Sequence, residues 1–472
     1  MVLGRVSRRA LLVGGWSVLG VPVLAACLGR ESKGKKGGDS AASGGAGSAS
    51  GSAGASGGSG QGVTRTVSTA GATLKVTVGP AVVSNDVMVV PLAVHLDKAG
   101  SSSRFDNGKR IDINVVWNGT GDFTGADGVR LVDFDAGTVQ ATFKASSESD
   151  GLTDKEPDVT LHALFKPVDA STINVLVPES GLFEGVPVVR DGKLSAEARE
   201  AVDRARDTES SPDPVALETF TASVDGASDT RVTGKSVTIT LASDVLFDSD
   251  SADLSAQADT TLKKAADQLS TYPGGQVTIV GHTDDVADDA HNQDLSQRRA
   301  QAVSDRLGQL ASMSAYSVSV SGKGESEPRV PNDSDGNRQL NRRVEITLVP
   351  SESTSTKSDA GKDSGKSGGD LPKAEGPVAK GSEGVTVKRG GGDDKLTFVL
   401  KEVTRRGKYL VGEVKATGGP GGTKTGPAPW LQPTQLDGSA RGEEDGKLLS
   451  AVTGLSLLTA QTRYYPVDYT TA

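Results

Sequence analysis

Two residues of opposite charge, Asp284 and Arg299, stand at a spacing that can build a binding site. Asp284 follows the apolar run Val277-Thr278-Ile279-Val280, which reads as a buried strand. Arg299 precedes Ala300 in a run where Ala300, Val303, Leu307 and Leu310 recur at helical spacing. A side chain one position before an inward-facing alanine points along the edge of the helix's buried face, toward the strand end. A carboxylate and a guanidinium can thus flank one shallow pocket. A zwitterionic amino-acid end suits such a pair: its ammonium donates to Asp284 and its carboxylate accepts from Arg299. Charge-assisted hydrogen bonds of this kind contribute roughly 1.5–3 kcal/mol each. The competing reading is an internal Asp–Arg ion pair that only fixes the loop.

A second chemistry, metal-assisted hydrolysis, is raised by His282, Asp284, Asp288 and His291. Histidines nine residues apart across a loop form no standard zinc spacing, and a third strong ligand is not evident. The pattern Gly-x-Ser-x-Gly occurs only in the two Gly/Ser-rich linkers, at 54–58 and 365–369, with no apolar strand before it to make an elbow, and there is no phosphate loop, so nucleophilic or phosphoryl chemistry has little support. We therefore expect a binding protein rather than an enzyme, with no catalytic residue, metal or cofactor.

The elements that must position Asp284 and Arg299 follow from hydrophobic period. Val237, Ile239 and Leu241 alternate as a strand, with a short apolar Val245-Leu246-Phe247 behind them. Apolar residues at 254, 258, 262, 265 and 269 predict a helix, stopped by Tyr272-Pro273-Gly274-Gly275. The strand at 277–280 and a second helix over 295–310 come next. Val318 with Val320, then Val344, Ile346 and Leu348, supply two more strands. The order β-α-β-α-β-β over 236–350 predicts an α+β domain, two helices packed on one face of a mixed sheet.

Within that domain four separated motifs occur in order: Gly281-His282-Thr283-Asp284; Asn292, Leu295, Ser296, Arg299 and Ala300; Gly322, Gly324, Glu325, Pro328 and Asn332; and Asn341-Arg342-Arg343-Val344-Glu345-Ile346. The series resembles the OmpA-like C-terminal domain, a peptidoglycan-binding module of outer-membrane proteins, peptidoglycan-associated lipoproteins and flagellar stator proteins. The resemblance implies that Asp284 and Arg299 bind the diaminopimelate side chain of wall stem peptides. It also implies that Phe247, Asp248, Thr283, Asn292 and Leu295 shape the pocket. Arg343 matches the closing Asn-Arg-Arg, and either adds positive potential at the pocket or holds the sheet edge. The sequence departs from the family at Ala287, at Asp288-Asp289 and at His291, so the loop is expected to be more acidic than usual. A stator role would need a membrane helix with an ionisable residue, and the only long apolar stretch is a short one near the N-terminus.

That stretch has the order of a bacterial secretory signal: Arg5, Arg8 and Arg9, an apolar run over 10–24, then Leu24-Ala25-Ala26-Cys27. The last four residues resemble a lipobox, which implies a diacylglyceryl group on Cys27 as the first mature residue. Two acyl chains anchor stably, each buried methylene contributing about 0.8 kcal/mol. Ser7-Arg8-Arg9 with Leu11-Leu12 resembles a twin-arginine signal. Cys27 is the sole cysteine, which excludes an internal disulfide. The net charge of −9, from 51 basic and 60 acidic residues, argues against nucleic acid as a partner.

The remaining organisation is a signal at 1–27, a Gly/Ser-rich tether at 28–62, a β domain at 63–191, a connector at 192–235 and a second linker at 351–381. Seven or so alternating runs over 63–191 suggest an immunoglobulin-like sandwich. Residues 382–472 echo the start of that module and are expected to be a partial second copy that lacks the last strands. Leu396-Thr397-Phe398-Val399-Leu400 and the run 409–414 repeat Leu74 to Val78 and Met88 to Val94, and 454–458 repeats 128–132. The expected whole is an exported envelope lipoprotein linking a membrane, the outer one where it exists, to the wall. The alternative is a surface adhesin or partner-binding protein whose β domains carry specificity and whose OmpA-like domain only anchors it.

Overall fold

The computed structural model describes residues 8–10, 61–69, 72–99, 111–113, 126–143, 151–206, 213–351, 374, 377–379, 383–388, 395–418, 456–466 and 468–470. The lipobox with Cys27, nearly all of the tether and most of the second linker, together with Val115 and Trp117, lie outside the described residues. Among the described residues, no helix is long and apolar enough to cross a membrane.

The central module carries the expected elements: β1 (Val237–Ala242), α1 (Ser243–Leu246), α2 (Ala258–Leu269), β2 (Gly275–His282), α3 (Asp289–Leu310), β3 (Tyr316–Gly322), α4 (Asp335–Asn341) and β4 (Arg343–Pro350). The strands lie in the order β3-β2-β4-β1. β2 is parallel to β3, and β4 is antiparallel to both β2 and β1. One face of this mixed sheet, with Val237, Ile239, Leu241, Val277, Ile279, Val344, Ile346 and Leu348, shares a core with Leu262, Ala265 and Leu269 of α2 and Ala300, Val303 and Leu307 of α3. Both helices therefore cover the same face, as the hydrophobic period predicts.

The run at 245–247, which the sequence order left without an element, ends α1, which turns the chain there, and Phe247 follows in an isolated bridge to Leu254. α3 begins six residues earlier than predicted, because Asp288 caps it by accepting from the His291 amide at 3.0 Å. Asp289 sits in the first turn, where the helix dipole favours an acid. The acidic pair is thus a helix start, and Arg299 lies in the third turn of α3 rather than in its first turns.

Two glycines let α3 lie close on the sheet. Gly281 of β2 and Gly322 of β3 are register partners. A Cβ on Gly281 would stand 2.1 Å from the Ser296 carbonyl oxygen, and one on Gly322 would stand 2.4 Å from the Gln297 nitrogen. Ser296 is fully buried there; its hydroxyl donates to the Gln293 carbonyl and accepts from the Gly324 amide, both at 2.9 Å. This contact sets the height of Asn292 and Arg299 above the strand ends.

The stretch read as a connector contributes regular structure. A helix, Ala196–Arg206, packs Ala198, Val202 and Ala205 on Val87, Val89 and Leu164 of the N-terminal β unit. Strands Ser228–Val232 and Thr219–Ser223 continue the central sheet beyond β1.

In the N-terminal unit, the strands Ala72–Val78, Val87–Lys98, Asp158–Phe165 and Thr172–Val177 fall where alternation places them. Their inward residues, including Leu74, Val76, Val78, Leu92, Phe165 and Val175, share one core. Ten strands are linked in one sheet rather than two separate ones, nine along one path and Asp158–Phe165 branching from Val87–Lys98.

The C-terminal part forms a three-stranded antiparallel meander, Val385–Lys388, Lys395–Arg406 and Tyr409–Gly418, the same pairing order as Val63–Thr69, Ala72–Val78 and Val87–Lys98. The segments beyond it go elsewhere. Leu457–Leu458 pairs with Thr462–Tyr464, which adds to the central sheet through Thr219–Ser223. The meander itself leans on the N-terminal unit. Tyr409 joins a cluster with Val132, Phe134 and Leu182, and Arg65 bonds Glu413 at 2.6 Å.

Candidate functional site

The site forms where β1 and β2 end and β4 begins. Asp284 lies two residues past β2 and is 9% exposed. Its Oδ2 accepts from Arg342 Nη1 at 2.6 Å, and its Oδ1 receives only a long 3.4 Å contact from the Val286 amide. Arg342 precedes β4 and grips Asp244, in α1, with Nε at 2.8 Å and Nη2 at 2.7 Å. A bidentate grip of this kind fixes the guanidinium plane. The hydrogen bonds that Arg342 donates to Asp244 raise its pKa further above the ordinary value; burial opposes this and the bond to Asp284 adds to it.

Arg299 is 5% exposed and does not bond Asp284. Its Nε donates to the Ser251 carbonyl at 2.8 Å, its Nη2 reaches the Asp248 carbonyl at 3.5 Å, and its guanidinium lies 5.2 Å from the centre of the Phe247 ring. Burial pushes its pKa down, against the pull of Asp244, Asp250 and Asp284 and with the push of Arg342. The carboxylate and the guanidinium thus stand at one site without forming the internal ion pair that sequence left open.

The other expected residues divide into braces and walls. Asn292 donates its amide to the Asp284 carbonyl and the Ala287 carbonyl, both at 3.2 Å, and to Glu325 Oε2 at 2.7 Å, which ties the loop after β2 to α3. Thr283 is buried, its amide donates to the Gly324 carbonyl, and its hydroxyl has no partner. Leu295 and Phe247 are buried, whereas the Asp248 side chain is exposed and only its carbonyl meets Arg299.

Arg343 belongs to the other side. Val344 and Ile346 of β4 face the helices, so Arg343 and Glu345 face away from them. Arg343 Nε bonds Glu345 at 2.7 Å, and its Nη groups donate to the Asn341 and Glu327 carbonyls at 3.2 Å. It ties the start of β4, an interior strand, to its surroundings on the face away from Arg342. His282, its register partner on β2, shares that face. Burial there, with Arg343 beside it, lowers the imidazole pKa to about 4.

His282 is therefore separated from Asp284 by the sheet. His291 is engaged by Asp250 Oδ1 at 2.6 Å, and Asp288 caps α3. The four residues considered for a metal do not converge.

Sequence reasoning missed Arg342 and Asp244 as site residues. Parity held the signal for Arg342: it is two positions before inward-facing Val344, so it turns toward the helix side while Arg343 cannot. Nothing comparable pointed to Asp244, which reaches the site only because α1 turns the chain after β1.

A family model described as the OmpA family matches residues 246–342. Over 105 residues the chain is 41% identical to outer membrane porin F of Pseudomonas aeruginosa, covering 22% of this chain and 30% of that protein. Over 120 residues it is 38% identical to outer membrane protein A of Escherichia coli O157:H7, covering 23% and 34%. The chain spans about a third of the length of these relatives. Among solved structures, the cell wall anchor of the T6SS from Pseudomonas aeruginosa is 32% identical, with 26% of this chain and 88% of that one covered and a TM-score of 0.24. The peptidoglycan-associated lipoprotein from Burkholderia pseudomallei is 26% identical, with 24% and 87% covered and a TM-score of 0.20.

Proposed function

Residues 246–342 being an OmpA-family domain, we propose that this module binds peptidoglycan without catalysis, taking the zwitterionic end of a diaminopimelate side chain between Asp284 and Arg299. One observation carries the reading: two buried side chains of opposite charge share a site and do not pair with each other. The ligand's ammonium meets Asp284 at the oxygen that Arg342 leaves open. Its carboxylate meets Arg299, and Phe247, Leu295 and Thr283 form the walls. Arg342, held by Asp244, orients the Asp284 carboxylate.

In this reading the chain is exported and acylated at Cys27, and the tether lets the module reach the wall from the membrane. Some 35 flexible residues have a root-mean-square span of roughly 30–35 Å. Tethering raises the effective wall concentration, so a modest affinity at one site is enough to link membrane and wall.

Co-sedimentation with purified diaminopimelate-type sacculi tests it. The chain beyond residue 27 is expected to pellet at low salt and less at high salt, while Asp284→Ala and Arg299→Ala remain folded and stay in the supernatant. Failure of the unmodified chain to pellet, or pelleting of both variants, sinks the proposal.

A further inference from the structure

The module between residues 236 and 350 contains seven arginines, and six of them have a carboxylate within 4 Å. Arg298 has Asp294, Arg306 has Asp259, Arg329 has Asp229, Arg338 has Asp285, Arg342 has Asp244 and Asp284, and Arg343 has Glu345. Arg299 has none among the described residues, although it is more buried than most: its exposure is 5%. A desolvated cation without a counter-charge is costly, and removing its partner from such a group is what usually destabilises a buried pair.

The carbonyl oxygens of Ser251 and Asp248 occupy Nε and one Nη2 position, and the Phe247 ring lies against the guanidinium. Nη1 has no hydrogen-bond partner among the described residues. The adjacent acids do not fill the gap. Asp244 is held by two nitrogens of Arg342, and Asp284 gives its Oδ2 to the third. Arg299 thus lacks a carboxylate in hydrogen-bond reach, at one place, beside an aspartate with one oxygen open, although Asp244, Asp250 and Asp284 lie near enough to act on it through space.

We propose that this vacancy makes the site read the covalent state of its ligand, accepting a zwitterionic end whose carboxylate is free and rejecting the same end as a carboxamide. The inference rests on the reading of Asp284 and Arg299 given above. Guanidinium only donates hydrogen bonds. A carboxylate accepts from it with two charged oxygens, whereas a carboxamide offers one neutral oxygen and turns an NH2 donor toward a donor. No other basic group of the site is free to change partner, since Arg342 is saturated by two acids. Amidation of wall side chains would then release the protein without altering the bulk charge of the protein itself.

Calorimetric titration of the chain beyond residue 27 tests this, with three synthetic stem tripeptides as probes. They end in diaminopimelate with a free side-chain carboxylate, in the corresponding carboxamide, or in lysine. The acid is expected to bind about 10- to 100-fold more tightly than the amide, the range expected for one charge-assisted hydrogen-bonded contact, and the lysine peptide to bind no better than the amide. Arg299→Gln is expected to lower acid binding to the amide's level. Arg299→Lys keeps the charge and should retain a preference for the acid, which covers the case in which glutamine perturbs folding. Equal binding of acid and amide by the unmodified chain overturns the inference and leaves the proposed function standing. Binding of none of the three overturns the proposed function and the inference with it. A preference that survives in a folded Arg299→Gln chain overturns the assignment to Arg299.

Discussion

Arg342 and Arg343 are neighbours in sequence and serve opposite sides of one sheet. Arg342 is partly exposed, at 29%, and bonds two carboxylates at the candidate site. Arg343 is 6% exposed at its side chain and bonds one carboxylate and two carbonyls on the face turned away from the helices. The first network leaves an oxygen of Asp284 open and sits beside Arg299, which bonds no carboxylate; in the second all three nitrogens of Arg343 are engaged, although His282 Nδ1 on that closed side is buried without a partner. An open carboxylate oxygen beside a guanidinium that bonds no acid marks the side able to take a zwitterionic ligand.

The largest effect should come from breaking what both sides share. Gly281→Ala puts a Cβ against the Ser296 carbonyl, where backbone has to move, so a loss of about 3 kcal/mol or more is expected in urea unfolding, with the site displaced as well. A variant of unchanged stability would show that α3 does not fix the site's height. Arg343→Ala should cost about 2–3 kcal/mol, below the figure for a fully buried pair because Glu345 is 30% exposed. It should leave stem-peptide binding unchanged wherever the chain is folded. Loss of binding at unchanged stability would erase the distinction between the two arginines.

Acid should act on the closed side. The folded pKa of His282, about 4, lies below the ordinary value of 6.5, so the unfolded chain takes up the proton first. The contribution is complete above about pH 6.5 and is lost as pH falls toward 4, amounting to about 2 kcal/mol by pH 5. Exchange protection of the β2 amides should fall over that window, and His282→Asn should flatten the profile. The smallest stability effect is expected for Arg342→Ala, about 1 kcal/mol or less, since both it and Asp244 are partly exposed. The same change should weaken stem-peptide binding about 10-fold by freeing the Asp284 carboxylate. The reverse pattern, large in stability and absent in binding, would make Arg342 the structural brace.

The central fold was legible because its strands and helices are long enough for period to speak: Val344, Ile346 and Leu348 fix a face, and so do Ala300, Val303 and Leu307. The same parity separates Arg342 from Arg343 and was readable in the sequence, whereas Asp284 leaves the His282 side only because the chain turns after β2 ends. Asp244 and Asp250 were not, because a four-residue helix and the turn after it have no period. Asp288-Asp289 read as an acidic loop, although an aspartate before a helical run is also the ordinary start signal. The C-terminal strands could not be placed at all. Leu457–Leu458 and Thr462–Tyr464 complete a sheet whose nearest partner lies more than two hundred residues earlier, and short β runs do not specify their partner.

The most direct test of the central claim is hydrogen exchange by mass spectrometry on the chain beyond residue 27, with and without soluble diaminopimelate muropeptides. Slowed exchange is predicted in the segments 244–251, 282–288 and 292–299, with the N-terminal β unit and the 395–418 meander unchanged. Protection confined to the β unit, with none around Asp284 and Arg299, would contradict the account and move recognition to the β strands.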